Sequence, residues 1–218
     1  FDTNVKGTQN VLDALLSNHI SKIVSLSSAA VYLDTISKIA EFSKTIPSSP
    51  YGASKLEMEK KINHLTVQYK IQSIILRLFN VYGPGQDLSR KDQGMVSIFL
   101  SLVKEKNYIG VQGSLDRFRD FIYIDDVVQG WERCLLDSSH PNEIYNLGSG
   151  AKTYLSGLID TLIDVYGKTG QVKIEEVGAT MGDMKGCYAD ISKLSGHFGY
   201  APQFDLKEGV KRFKEWAD

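Results

Sequence analysis

Cysteine is scarce in this sequence. Cys134 and Cys187 are the two in 218 residues, and they stand far apart without the spacing of a metal or redox motif. That leaves no disulfide framework, and buried thiols in a reducing compartment are the expected state, which makes the cytoplasm the expected location. Excess charge of either sign is missing as well. The formal net charge is -1, so the basic surface that nucleic acid demands is not there. No apolar run reaches the length of a membrane span, and no secretory apolar segment opens the chain. Neither a membrane nor a nucleic-acid partner is expected. His19, His64, His140 and His197 show no ligand spacing, so no metal is expected either. There is no internal repeat and no low-complexity segment. What remains is an ordinary soluble composition, 42% hydrophobic, enough for one substantial core or a core with a smaller lobe.

The order of segments points to an α/β fold. The chain opens on Phe1, and "FDTNVKGTQNVLDALLSN" reads as helix at once: Val5, Thr8, Leu12, Leu15 and Leu16 make one apolar stripe. The sequence therefore reads as starting inside a domain. "KIVSLSS" is a short β-branched run fit for a buried strand. Ser49 before Pro50 is an N-cap followed by proline in the first turn, opening a helix over "YGASKLEMEKKINHLTVQY". That helix carries Leu56, Ile62, Leu65 and Tyr69 toward a partner surface. "QSIILRLFNVYG" predicts one buried strand, then follow a helix ("MVSIFLSLVKEK"), a strand ("DFIYI"), a helix from "DDVVQGW" and a strand ("EIYNLGSG"). Such alternation builds a doubly wound, mostly parallel sheet. Residues 151–218 mix helices with short strands and read as a smaller C-terminal α/β lobe.

Ligands of open parallel sheets bind beyond the carboxyl ends of the strands. Ser27 and Ser28 end one strand, Phe79 and Asn80 the next, and Tyr51 starts the helix between them. Tyr51 and Lys55, four apart, share one helix face. Such a pair is also compatible with a solvated face, since about one tyrosine–lysine pair at this spacing is expected by chance in a chain of this composition. Its chemistry is specific, however. A free phenol ionises near pH 10, too high for a base at neutrality; an adjacent ammonium stabilises the phenolate. A phenolate so placed can take a proton from a hydroxyl while hydride leaves the same carbon. A serine hydroxyl holds the substrate oxygen in line, with Ser28 the first candidate and Ser27 the second. Tyr82, Phe118 and Tyr123 read as packing aromatics.

"NVKGTQNVLDA", "SLSSAAVY", "PYGASK", "RLFNVYGPGQD", "RFRDFIYIDDVV", "IYNLGSG" and "ADISKL" stand in the order and spacing of the extended short-chain dehydrogenase/reductases. The sequence resembles their nucleotide-sugar epimerase/dehydratase family. The resemblance implies a partial NAD-binding Rossmann fold, with residues 1–81 and 119–150 in the dinucleotide-binding domain and 82–118 and 151–218 in the substrate lobe. It implies NAD as cofactor, a nucleotide sugar as substrate and a homodimer built on the first helix and the Tyr51 helix, where Val11, Leu15, Met58 and Leu65 exceed what one sheet face needs. Tyr51 and Lys55 become the catalytic pair, with Lys55 also on the nicotinamide ribose. Ser28 positions the substrate; Asn4, Ser27 and Phe79 lie at the cofactor; Asn80 and Arg119 take the sugar and its diphosphate. Cys187 stands where the family's epimerases line the C2 side of the sugar, and a small residue there leaves room for an acetamido group.

Two features depart from the family. The glycine-rich phosphate loop and the acidic ribose ligand are not among these residues, and Gly148 to Gly150 follow a late strand, outside that motif's context. Where the epimerases carry an arginine on the diphosphate, this chain has Thr180, which should weaken nucleotide-sugar binding unless Lys185 or another residue compensates. Within the family it resembles, the 4,6-dehydratases place an acidic pair after the serine-rich strand, and Ala29 and Ala30 stand there instead, which disfavours elimination of water. C4 epimerisation of a UDP-hexose is the favoured activity, with an NAD(P)-dependent keto-sugar reductase or dehydratase of the same family, or a non-catalytic dinucleotide-binding regulator, as the alternatives.

Overall fold

The computed structural model describes residues 1–33, 36–90, 92, 94–140, 142–178 and 185–218. A π-helical turn, Asp2–Lys6, runs into α1 (Gly7–Leu16), then β1 (Lys22–Ser28) and a single 3-10 turn, Ala29–Val31. Next come β2 (Lys38–Ile39), α2 (Pro50–Tyr69), β3 (Gln72–Leu78), β4 (Asn80–Tyr82) and α3 (Met95–Glu105). They are followed by β5 (Tyr108–Val111), β6 (Phe118–Arg119), β7 (Phe121–Tyr123), α4 (Ile124–Leu136), β8 (Glu143–Leu147) and β9 (Thr153–Tyr154). The last elements are α5 (Leu155–Val165), β10 (Lys173–Glu176), β11 (Tyr188–Ala189), α6 (Ser192–Phe198) and α7 (Leu206–Ala217).

β3 is the centre of a parallel sheet, with β1 on one side (Lys22 opposite Gln72) and β8 on the other (Ile74 opposite Glu143). Its residues alternate between two helical layers, as the period of two requires. Ile75 packs with Leu12 of α1 and Met58, Ile62 and Leu65 of α2. Ile74 and Leu76 pack with Val127 and Cys134 of α4 and Leu194 and Phe198 of α6. Helices on both faces make the sheet doubly wound, and strands buried on both faces read as continuous apolar runs. A third core lies away from this sheet. Leu100 and Val103 of α3, Ile109 of β5, Leu158, Ile159 and Leu162 of α5 and Phe213 of α7 are sealed from solvent there.

Three sequence expectations change. The run from Gln72 to Gly83 is two strands, because the chain changes partner at Phe79. The Phe79 amide still reaches the Leu147 carbonyl of β8 at 3.1 Å, whereas the Asn80 amide turns to the Asp120 carbonyl at 2.9 Å and β4 pairs with β7. No glycine or proline marks the break, so the apolar pattern runs through it. Tyr69 is half exposed at the last turn of α2. Of the four apolar residues assigned to surplus surface, Met58 and Leu65 are already buried against α1 and β3, while Val11 remains 58% exposed. Among the described residues no helix is long and apolar enough to cross a membrane.

Candidate active site

Helix α2 is set against the end of β1 by three local devices. Ser49 caps it, its hydroxyl accepting from the Gly52 amide at 3.0 Å, and Pro50 sits in the first turn. Gly52 lets the helix start lie against the 3-10 turn: a Cβ there would overlap the Ala30 carbonyl and meet the Pro47 side chain at 2.9 Å. Glycine in "PYGASK" is thus a close-approach residue that seats Tyr51 beside the Ser28–Ala30 turn. Ser28 caps that turn, its Oγ accepting from the Ala30 amide at 3.2 Å.

Two adjoining cavities open at this place. One, of about 200 Å³, is lined by Ser28, Ala29, Ala30, Tyr32, Phe79, Asn80, Arg119 and Cys187, among others. The second, of about 330 Å³, is lined by Tyr51, Phe79, Asn80, Gln86, Gly94 and Phe121, among others. Phe79 and Asn80 belong to both walls, so the strand switch is the ridge between them. The structure therefore brings together Tyr51, Ser28, Phe79, Asn80, Arg119 and Cys187. Tyr51 is 52% exposed at the mouth. Lys55 is half buried one turn on, its Nζ donating to the Leu26 carbonyl at 3.0 Å. Burial lowers its pKa, and the negative charge of Glu59 works in the opposite direction.

Asn4 stands behind the pair and stitches the first turn to α2. Its Nδ2 donates to Ser54 Oγ at 2.9 Å, and that hydroxyl donates to the Tyr51 carbonyl at 2.7 Å. Asn80 Nδ2 donates to the Asp120 carbonyl at 3.1 Å, and Arg119 Nη1 to the Phe118 carbonyl at 2.7 Å. Cys187 is buried with Val31, Tyr32, Ile39, Phe79 and Ala189, which fixes it as a wall residue. Ser27 stands apart from the others. It is 3% exposed and lines neither cavity, and its hydroxyl donates inward to Glu59 Oε1 at 2.5 Å. The alternation of β1 turns its side chain away from that of Ser28. Thr180 lies outside the described residues.

Residues that sequence reasoning passed over sit just beneath. Asp120 is fully buried, and its carboxylate accepts from the Ser149 amide (2.7 Å) and hydroxyl (2.6 Å), the Gly150 amide (3.0 Å) and the Ala189 amide (3.0 Å). Burial raises its pKa, against those hydrogen bonds. The "GSG" turn is thus an anion cradle filled from within the chain, and a Cβ at Gly148 would meet Asp120 Oδ2 at 2.7 Å. Glu59, fully buried, is gripped by Arg77 through Nε–Oε1 (3.0 Å) and Nη2–Oε2 (2.7 Å). Its place two turns after Tyr51 on the same face was the available signal.

Comparison with known proteins places this arrangement. The model of the NAD dependent epimerase/dehydratase family matches residues 1–148. The chain belongs to that family. It is 35% identical over 217 residues to a putative UDP-glucose 4-epimerase of Methanocaldococcus jannaschii, covering 99% of this chain and 69% of that protein. It superposes with TM-score 0.89 on the crystal structure of UDP-glucose 4-epimerase from Thermotoga maritima with UDP-glucose, at 27% identity over 99% of this chain and 69% of the other. On UDP-N-acetylglucosamine 4-epimerase from Methanobrevibacter ruminantium, in complex with UDP-N-acetylmuramic acid, the score is 0.91 at 25% identity, again over 99% and 69%. The chain therefore spans about two thirds of the length of these relatives.

The family's NAD fits the residues present at its nicotinamide end. Lys55 uses one of three ammonium donors on Leu26 and is half exposed beside Tyr51, as a ribose hydroxyl requires. The opposite end of a dinucleotide needs a glycine-rich turn opening a helix, and the one "GSG" turn is occupied by Asp120.

Proposed function

We propose that the protein is an epimerase acting at C4 of a UDP-hexose through a transient 4-keto sugar. One observation carries the reading: Tyr51 and the Ser28–Ala30 turn meet at adjoining cavities that share Asn80 and hold Arg119, while the wall where an elimination would need a carboxylate is Ala29 and Ala30. Tyr51 takes the proton from the C4 hydroxyl and returns it. Lys55 supplies the neighbouring positive charge and holds a ribose hydroxyl. Ser28 hydrogen-bonds the C4 oxygen in line, and Asn80 and Arg119 hold the sugar and its diphosphate. Lys55 and Phe79 would hold the nicotinamide end of NAD, which would supply a reversible acceptor for the C4 hydride. Residues 82–118 and 151–218 form the substrate lobe in this reading, and a homodimer forms over α1 and α2, where Val11 offers its apolar surface.

The volume beside Cys187 supports acceptance of 2-acetamido sugars. The test is incubation of the protein and NAD with UDP-glucose, UDP-N-acetylglucosamine, dTDP-glucose and GDP-mannose, with products followed by proton NMR. The expected product is the C4 epimer of both UDP-sugars. Release of water, or no reaction with any sugar, would overturn the reading.

A further inference from the structure

The catalytic helix carries a third polar residue on its active face. Tyr51, Lys55 and Glu59 are spaced by four, so they rise along one side of α2 toward the protein interior. β1 meets that side at two successive residues. The Leu26 carbonyl takes the Lys55 ammonium at 3.0 Å, and the Ser27 hydroxyl donates to Glu59 at 2.5 Å. Arg77 of β3 closes the other side of Glu59 with two parallel hydrogen bonds, both partners almost fully buried. The guanidinium lies 4.7 Å over the ring of Tyr32, and Tyr32, whose phenol burial pushes up to about 12, donates to Asn146 Oδ1 at 2.6 Å. Arg77 Nη1 reaches the Glu41 carbonyl at 3.3 Å, and Glu41 Oε1 accepts the Asn146 amide at 2.8 Å.

A buried ion pair of this kind is a poor stabiliser. Desolvating two charges costs several kcal/mol, and well-packed apolar residues often serve as well. A helix held to its sheet needs nothing so expensive. The fixed negative charge does have a neighbour that uses it, one turn away, where burial works against the positive charge of Lys55.

Resting on the assignment of Lys55 as the catalytic cation, we infer that Glu59 is its positioning residue: clamped by Arg77 and Ser27, it holds a carboxylate under Lys55 that keeps the ammonium charged and aimed at the Leu26 carbonyl and the site. Other charges on elements packed against α2 are committed elsewhere. Asp2 and Lys6 pair with each other at 2.8 Å in the exposed first turn. Asp13 of α1 accepts from Gln9, Lys22 of β1 donates to the Cys134 carbonyl, and Arg77 is spent on Glu59 and Tyr32.

The test reads Lys55 directly and needs no turnover. Competitive acetylation of the 218-residue chain over a pH series, quantified at Lys55 by mass spectrometry, gives the midpoint at which the amine becomes reactive. Glu59→Gln removes the charge but keeps an oxygen for Ser27. Glu59→Gln combined with Arg77→Met removes both charges and avoids an unpaired guanidinium. In Glu59→Gln, checked as folded by cooperative unfolding, the midpoint falls, and labelling at a fixed pH below it rises about threefold to tenfold; in the double variant the lost guanidinium offsets part of that fall. Glu59→Asp, which withdraws the charge by one methylene, moves it less in the same direction. An unchanged Lys55 midpoint in folded Glu59→Gln would reduce Glu59 to a structural clamp and overturn the inference. Failure of the epimerase reading shows differently: no sugar is turned over, while the labelling shift persists.

Discussion

The two sides of this molecule are held together by different physics. Around α2, β1 and β3 the contacts are directional: a capped helix start, a glycine at van der Waals limit, a bidentate ion pair and hydrogen bonds running from Ser27 through Glu59, Arg77 and Glu41 to Asn146. Around α3, α5 and α7 they are apolar, with Leu158, Ile159, Leu162 and Phe213 fully buried and exchangeable for residues of like volume. Directional contacts fix a side chain to fractions of an ångström, which proton transfer needs. Apolar packing only has to keep the second wall in place. The difference separates residues whose loss stops chemistry from residues whose loss loosens the fold.

Four substitutions press on that separation. The largest effect is expected of Tyr51→Phe, which removes the ionisable oxygen at a half-exposed position. kcat should fall by about 10²- to 10⁴-fold with the urea midpoint unchanged, and activity within a factor of a few of the parent would break the acid–base assignment. Arg77→Ala leaves Glu59 buried and unpaired, so unfolding free energy should drop by about 3–5 kcal/mol and Lys55 should become harder to deprotonate. Leu162→Ala in the apolar wall should lose about 2–5 kcal/mol of stability, yet keep kcat per folded molecule near the parent value. A matching loss of kcat there would merge the two regions into one. Smallest is Cys187→Tyr, which fills the cavity wall. It should cut kcat/KM for acetamido sugars relative to plain hexoses by about tenfold or more, and an unchanged ratio would remove the gate.

Much of the polar side was legible in the sequence because its signals are local. Ser49-Pro50 announced the helix, the Tyr51–Lys55 spacing put both side chains on one face of it, and alternating strands and helices announced the parallel sheet. Glu59 and Arg77 were not legible, since charged residues eighteen apart look like surface residues until the register of α2 on β3 buries both. Asp120 was hidden for the same reason: its partners at Ser149, Gly150 and Ala189 come from distant turns. The bond of Ser27 to Glu59 was not legible because two adjacent serines are equivalent in sequence, whereas in a strand they face opposite ways. The strand switch at Phe79 left no mark because both partners bury apolar side chains.

The central claim is that Tyr51 takes the proton of the C4 hydroxyl while the C4 hydride leaves the sugar and returns to the same carbon. Deuterium at C4 of UDP-glucose reports it directly. Incubated with the protein and NAD, the labelled sugar should give the C4 epimer with deuterium still at C4 and none exchanged with water, and Tyr51→Phe should leave it unreacted. Deuterium found at another carbon, or lost to solvent, would contradict the account.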